Sequence, residues 1–431
     1  MSEIETSTMR RVTMRLLPFL MVGYFFAFVD RVNVGFAGKQ MSADLHFSGA
    51  VFGLGASIFF LGYFIFEVPS NLALERVGAR LWLARIMLSW GILSGATAFV
   101  TGPISFQVMR FLLGCAEAGF FPGIILYLTF WFPAAYRAKI VGIFMVAIPA
   151  SAFIGSPISG AILDMNGVAG LAGWQWLFLL EAIPTVLLGV FCLFWLPDGP
   201  ATAKWLPNVE RTWLTGRLAA ENKAALAAPK IPVWRVMADK RVLVLALTYM
   251  GSSGANYGIT FWQPQIIQNH GLSNVETGLL NALPYLFGSV AMVWWGRRSD
   301  RKRERVWHTA ISLVVCAAGL AACTILSGLA TTMAALTLSL VGAYMLKGPF
   351  WALSSEWLGA TAAAAGLAQI NAIGNLGGLL APWAIGVVKD ASGNPTLGLL
   401  PLVAITLAGA LGVTLMGRGR ARAAPLGAAA E

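Results

Sequence analysis

Charge is what this chain has least of. Only 11% of its 431 residues are Asp, Glu, Lys or Arg, against 58% hydrophobic, where a soluble domain spends about 25% on charge. With a mean hydropathy of +0.72, there is too little polar surface to face water all round, which excludes an ordinary soluble globule. Histidine is scarce too: His46, His270 and His308 are the only three, and they fall in loops or at a span end. No H-E-x-x-H, G-x-x-x-x-G-K-[ST], C-x-x-C or G-x-S-x-G occurs, which argues against an enzyme and against nucleotide-driven transport. The four cysteines, Cys115, Cys192, Cys316 and Cys323, all lie inside apolar runs. They predict small buried residues and no disulfide framework.

What is abundant is long apolar sequence. A bilayer-crossing helix needs about 20 mostly apolar residues, and such runs fall near 13–36, 49–73, 81–100, 105–131, 138–162 and 174–196. A second set follows near 242–267, 276–296, 307–328, 332–354, 362–388 and 397–416. The expected fold is therefore all-α and polytopic, twelve transmembrane helices in two six-helix halves, 1–196 and 242–416. Residues 197–241, rich in proline and charge, form a cytoplasmic linker, and 417–431 a cytoplasmic tail. Arg10, Arg11 and Arg15 precede the first run as in a signal peptide. That run is too long, contains Asp30-Arg31 and lacks a small-x-small cleavage site, so it reads as a span.

The net charge of +11 would suggest nucleic acid in a soluble protein. Position excludes that reading. Of the 30 Lys and Arg, 25 fall at the amino terminus, in alternate short loops, in the linker and in the tail. Lys39 and Lys389 alone fall on the opposite side, and Arg31, Arg110 and Lys347 lie within spans. This asymmetry places both termini in the cytoplasm.

The halves echo each other. Asn71 to Arg80 follows the second run and Gly296 to Arg301 the eighth, each placing an acid-Arg pair, Glu75-Arg76 and Asp300-Arg301, at a cytoplasmic helix end. Repeated membrane halves are a signature of secondary transporters, with substrate held between them near the midplane, and the two pairs are the candidate conformational gates.

Charges inside a membrane are costly, about 2.5–3.5 kcal/mol each on insertion scales, and so call for a reason. The deep ones are Asp30, Arg31, Glu67, Arg110, Glu117, Glu181 and Lys347. Counting at about 1.5 Å per residue puts Asp30-Arg31 and Arg110 at one depth, with Glu117 two turns beyond Arg110 on the same face. Two arginines and two carboxylates on two helices make a nearly neutral cluster. Guanidinium is a two-pronged partner for a carboxylate and stays charged, so Arg31 first and Arg110 second are the expected anion ligands. Asp30 and Glu117 are the candidate carriers of coupling protons. The competing reading is a structural ion-pair lock with no ligand. Glu67 reads as a gate or solvated group, Glu181 as interfacial, and Lys347 as snorkelling to the cytoplasmic surface. Tyr63, Tyr249, Asn256, Tyr257, Gln263, Trp351, Asn371 and Asn375 are the candidate polar and aromatic lining, each also explicable as helix packing. Gly114, Gly119, Gly377 and Gly378 predict close helix approach.

Several of these stretches carry a resemblance. The two loops resemble the G-x-x-x-D-R-x-G-R-R signature of the major facilitator superfamily, the first with Asn71, Glu75 and Ala79 in place of its glycine, aspartate and first arginine. Together with Asp30-Arg31-x-Asn33, Pro69-Ser70-Asn71, Arg110…Gly114…Glu117-Ala118-Gly119…Pro122, Gly173-Trp174-Gln175-Trp176-Leu177-Phe178 and Asn371 to Gly378, the chain resembles the anion:cation symporter branch. The resemblance implies a proton-driven permease for organic anions such as tartrate, phthalate, hexuronates or galactonate. It assigns proton coupling to Asp30 and Glu117, and substrate contact to Tyr63, Trp351 and Asn371. Relatives carry Tyr where this chain has Phe28, and some sugar-acid carriers a glutamine near Pro149; both departures point to an anion smaller or less hydroxylated than a sugar acid.

The expectation is thus an alternating-access carrier in the inner membrane, importing an organic carboxylate with protons and acting as a monomer. Its partners are the anion, protons and the lipid bilayer, with no nucleic acid, metal or cofactor. The alternatives are a carrier of a neutral solute, an exporter of the same fold and, more distantly, a membrane-embedded lipid-active enzyme.

Overall fold

The computed structural model describes residues 3–226 and 239–419, without the side chains of residues 138, 222–226, 359–365 and 418–419. Lys230, Arg235, Arg420 and Arg422 of the expected basic side lie outside the described residues. Among the described residues there is no strand, and twelve helical spans carry the chain back and forth.

The first six spans are Glu3–Asp44, Gly49–Val77, Ala79–Phe99, Pro103–Thr129, Ala134–Leu163 and Gly173–Trp195. After the linker come Lys240–Gln268, then Asn274–Lys302, Val306–Ile325, Leu329–Leu358, Gly366–Ser392 and Pro395–Gly417. Eleven of these are apolar enough to cross a membrane by composition; the seventh, Lys240–Gln268, is long enough but too polar. Its far half explains why. From Gly258 to Gln268 every residue is buried inside the protein, so that stretch presents no lipid-facing stripe and has no need of apolar residues. Elsewhere the apolar side chains point outward: Phe194 is 82% exposed, Val290 64% and Ile92 61%. A surface this apolar is matched to lipid.

Local sequence sets the helix ends. Ser48 caps the second span by accepting from Val51 N at 3.2 Å. Ser273 and Glu276 cap the eighth reciprocally, Ser273 accepting from Glu276 N at 3.3 Å and Glu276 from Ser273 N at 2.9 Å, which satisfies amides that the first turn leaves free. The fourth span breaks immediately after Glu117. Ala118 is extended and Gly119 takes φ +85°, after which the helix resumes at Phe120. Pro122 lacks the amide that would bond back to Ala118 O, so the sequence itself encodes the break.

The linker helix, Asn208–Leu226, is tied to the first half. Glu210 accepts from Ser7 at 2.7 Å and pairs with Arg11 at 3.2 Å. Glu221 pairs with Arg137 at 3.7 Å and accepts from Ala134 N at 3.0 Å.

The two halves meet at the end opposite the arginine-rich loops. Gly53 of the second span lies so close to the eleventh that a Cβ would sit 2.4 Å from Pro382 O, and one on Gly160 of the fifth would sit 2.4 Å from Asn274 O of the eighth. Asp390 crosses the same boundary and accepts from Gly49 N at 2.6 Å and Ala50 N at 2.8 Å, a carboxylate at the positive end of the second span. That end is shut.

Candidate functional site

The boundary between the halves is organised around Arg31. Its guanidinium forms an ion pair with Glu117 at the break in the fourth span and donates to Tyr257 OH of the seventh span at 3.2 Å. One cation thus bridges both halves. Aromatic faces surround it, with Phe28, Phe59 and Tyr63 at 5.0, 5.2 and 5.3 Å from ring centre to guanidinium carbon. Phe60 packs on Tyr257 at 4.4 Å, and Gly378 of the eleventh span leaves room for both rings. Glu117 Oε2 has no partner among the described residues. An ion pair of this kind, enclosed by rings and with one buried carboxylate oxygen unpartnered among the described residues, can exchange its internal carboxylate for an external one once the halves part.

Asp30 is not part of that pair. Adjacent helical residues point about 100° apart, and Asp30 faces away from that boundary into the first half. Its Oδ2 accepts from Trp90 Nε1 and Thr185 Oγ1, each at 2.7 Å, and its Oδ1 from Ser94 at 3.0 Å. The neutral four-charge cluster expected from depth is therefore two separate sites. Arg110 also departs from expectation. It is fully buried and donates to the main-chain carbonyls of Arg31 and Ala56 at 3.3 and 3.2 Å, with Phe59 at 5.3 Å. In this arrangement it supports the backbone that presents Arg31 and does not face the boundary.

The aromatic and amide candidates divide likewise. Tyr63 lies beside Arg31. Tyr249 and Trp351 meet edge to face at 4.9 Å, and Gly374 closes on the Tyr249 ring. Trp351, Asn371 and Asn375 are half-buried, as is Asn256, whose Oδ1 has no partner among the described residues. Gln263 does not belong with them. It is fully buried at the shut end and donates to Asn281 O of the eighth span at 3.3 Å. Tyr257, one of the lining candidates on the seventh span, is the residue that touches Arg31.

Other expectations need correction. Glu181 is buried, not interfacial, and accepts from Ser159 at 2.6 Å. Cys115 is half-buried, while the other three cysteines are buried as expected. The adjacent acid-Arg pairs are not the pairs formed. Glu75 and Arg76 are both exposed; the first loop is held instead by Asp198, which accepts from Arg80 N at 2.9 Å. Asp300 pairs with Arg305 at 2.5 Å, not with Arg301, and Arg305 also reaches Glu356 of the tenth span at 3.4 Å. Both loops are thus braced within their own half. The close approaches expected of glycine are present, with Gly114 against Phe59 O and Gly377 against Met250 O.

Known proteins place this architecture. The profile of the Major Facilitator Superfamily matches residues 20–382. A protein of Agrobacterium vitis named "Putative tartrate transporter" is 51% identical over 415 residues, covering 96% of this chain and 95% of that one. A "Quinolone resistance transporter" of Acinetobacter baumannii is 40% identical, covering 94% of each. Among solved structures, a bacterial homolog of the human lysosomal transporter Spinster, inward-facing and occupied, superposes with a TM-score of 0.79 at 16% identity, covering 95% of this chain and 98% of that one.

Proposed function

We propose that this chain, which belongs to the major facilitator superfamily and is a multi-pass secondary transporter, not an enzyme, imports a small organic carboxylate together with protons. The observation that carries this is the Arg31–Glu117 ion pair, bridged to the second half by Tyr257. The name of the Agrobacterium vitis relative supports a small hydroxy acid as cargo.

In this mechanism a proton reaches Glu117 from the outside and releases Arg31. The substrate carboxylate takes the vacated position on the guanidinium, two-pronged. Trp351, Asn371, Asn375 and Tyr63 hold the rest of the anion. With Arg31 engaged, Tyr257 is drawn to the first half, the shut end forms through Asp390 and the glycine contacts, and the basic end opens. Loss of the proton on the inner side restores the Arg31–Glu117 pair and expels the anion. Asp30 serves as a second proton site. The arginine-rich loops face the cytoplasm of a bacterial inner membrane, the unit is the monomer, and no cofactor beyond the proton is needed.

The relative named for quinolone resistance favours a second reading, export of an organic solute by the same fold. Uptake into proteoliposomes separates the two. The expected result is accumulation of one carboxylate, scaled by an inward proton gradient, with neutral sugars inert. Solute that moves only against the direction of proton flow, or transport of a neutral solute alone, would overturn the import reading.

A further inference from the structure

The first half holds a buried acid that the site above does not use. Glu181 lies on the sixth span, about 12 Å in from its shut end at about 1.5 Å per residue, and is 5% exposed. Ser159 of the fifth span donates to its Oε1 at 2.6 Å. Its Oε2 has no partner among the described residues, and no cation there pairs with it. A carboxyl group kept at membrane depth without a counter-charge calls for a function.

Its position is set against Asp30. The first span runs toward the shut end and the sixth away from it. Thr185, which donates to Asp30 at 2.7 Å, comes four residues after Glu181, so the two share one face of the sixth span a turn apart. Asn33 comes three residues after Asp30, on the same face of the first span. Asp30 and Thr185 thus form one rung between these spans, and Asn33 and Glu181 the next, one turn nearer the shut end. Asn33 is 1% exposed, and both of its amide atoms lack a partner among the described residues. A donor and an acceptor therefore stand open between the two acids, in a space closed to solvent. The sixth span also packs on the third and the fifth. The third contributes the neutral Trp90 and Ser94 that hold Asp30, and the fifth the neutral Ser159. Asp30 is the titratable group that acts on Glu181.

Ser159 connects this rung to the boundary between the halves. With Ser156, Thr260, Asn281 and Tyr285 it lines a void of about 10 Å³ there, the room of about one water. Beside the void Asn281 of the eighth span donates to Ser156 Oγ of the fifth at 2.9 Å, and Asn281 Oδ1 has no partner among the described residues. When the halves part at this end, that contact breaks and outside water reaches Ser159, with Glu181 directly behind it. When they close, Glu181 is cut off from that side while its rung next to Asp30 stays whole.

We infer that Glu181 is the entry site of a coupling proton, loaded from outside water past Ser159 while the shut end is open and passed to Asp30 once that end closes. In the transfer the O–H bond of the Glu181 carboxylic acid breaks and one forms on Asp30. The carboxylate left on Glu181 takes up its next proton when outside water returns. This rests on the proton-coupled reading above, in which Asp30 is a proton site, and extends it by one residue.

The test uses the purified full chain, in proteoliposomes with L-tartrate as the probe and in lipid nanodiscs for infrared titration. Glu181→Gln keeps the volume and can still accept from Ser159. Its uptake driven by an inward proton gradient should fall at least about tenfold, the scale of one positioned proton donor, while counterflow exchange at equal pH persists. Glu181→Asp should restore part of the driven uptake, and Ser159→Ala should slow it. In nanodiscs the wild type should show a carboxylic-acid carbonyl band that bleaches as the pH rises, is absent in Glu181→Gln and shifts its midpoint in Asp30→Asn. Undiminished driven uptake in Glu181→Gln overturns the inference. So does equal loss of uptake and exchange in Glu181→Gln and Ser159→Ala, which marks a packing role, and so does a Glu181 band that does not titrate. Wild-type uptake that ignores the proton gradient while the Glu181 band titrates overturns the coupled-import reading and leaves the proton site in place.

Discussion

Asp30 and Glu117 are both buried carboxylates of the first half, and they are held in opposite ways. Three neutral donors from the third and sixth spans converge on Asp30 and fill both of its oxygens. Glu117 meets a single cation through one oxygen and leaves the other unpaired. Protonating Glu117 dissolves an ion pair at the boundary between the halves. Protonating Asp30 alters a hydrogen-bonded knot inside the bundle and touches no cation. Buried carboxylates of one half therefore need not share a role. Glu117 is placed to trade its cation with a ligand, and Asp30 to report on how the first, third and sixth spans are packed.

The greatest loss is expected at the cation itself. Arg31→Ala removes the partner of Glu117, the donor to Tyr257 and the proposed substrate clamp at once. Loss of a charge-assisted contact in a partly dry site costs about 2–5 kcal/mol when the remaining charge is left unpaired. Equilibrium binding of the cargo anion should therefore fall by about 30-fold or more. Affinity within a few fold of wild type would remove Arg31 from the binding site and leave it a structural lock.

Replacing each carboxylate by its amide separates the two further. In Glu117→Gln the amide oxygen can face Arg31 and the amide nitrogen can occupy the side where Oε2 has no partner. The fold should tolerate it, anion exchange should persist, and accumulation driven by a proton gradient should fall at least about tenfold. In Asp30→Asn the amide oxygen can keep Trp90 and Thr185 while the amide nitrogen turns to Ser94, whose hydroxyl then accepts where it donated, so what is lost is the charge-assisted strength of these contacts, about 1–2 kcal/mol in all. Both substitutions should lower the melting temperature in a thermal-stability assay, Glu117→Gln because it leaves Arg31 without a counter-charge, and an excess of the cargo anion should restore it in Glu117→Gln and not in Asp30→Asn. An equal response to the anion would mean that the two carboxylates are held alike after all.

The positions of the spans were legible because lipid imposes a simple rule: about 20 apolar residues, with the charges in the gaps. Even the seventh span, more polar than the other eleven, shows as a run near 242–267 and forms the helix Lys240–Gln268. The pairing of side chains was less legible. Depth can be counted along a helix, and it put Arg31 level with Arg110 and Glu117 two turns beyond, whereas the pair formed is Arg31 with Glu117. Azimuth depends on how each helix is rotated against its neighbours, and a single residue step turned Asp30 away from the boundary. Arg110 was misplaced for a related reason. Its role is set by backbone carbonyls of Arg31 and Ala56, which no sequence pattern advertises. The loop pairs failed because the sequence puts Asp300 beside Arg301, while the chain turns back through Arg303 in the left-handed region and brings Arg305 to it instead.

Gln263 offers the finest test of the contrast between site and shell. It lies on the same span as Tyr257, and six residues place its side chain about 240° around the helix axis, and about 9 Å further along it. It is sealed at the shut end, with one hydrogen bond to Asn281 O and its Oε1 unpartnered among the described residues. Gln263→Leu keeps the volume and removes a buried polar group whose hydrogen bonding is incomplete, so the loss of the 3.3 Å contact and the relief of the unpaired oxygen nearly offset each other. Anion affinity is expected to stay within about twofold, with any change appearing in the turnover rate, because the contact closes the far end and does not touch substrate. A selective loss of affinity would move the site by two turns of the seventh span and place the substrate between Gln263 and Asn281, at the boundary where the halves now meet.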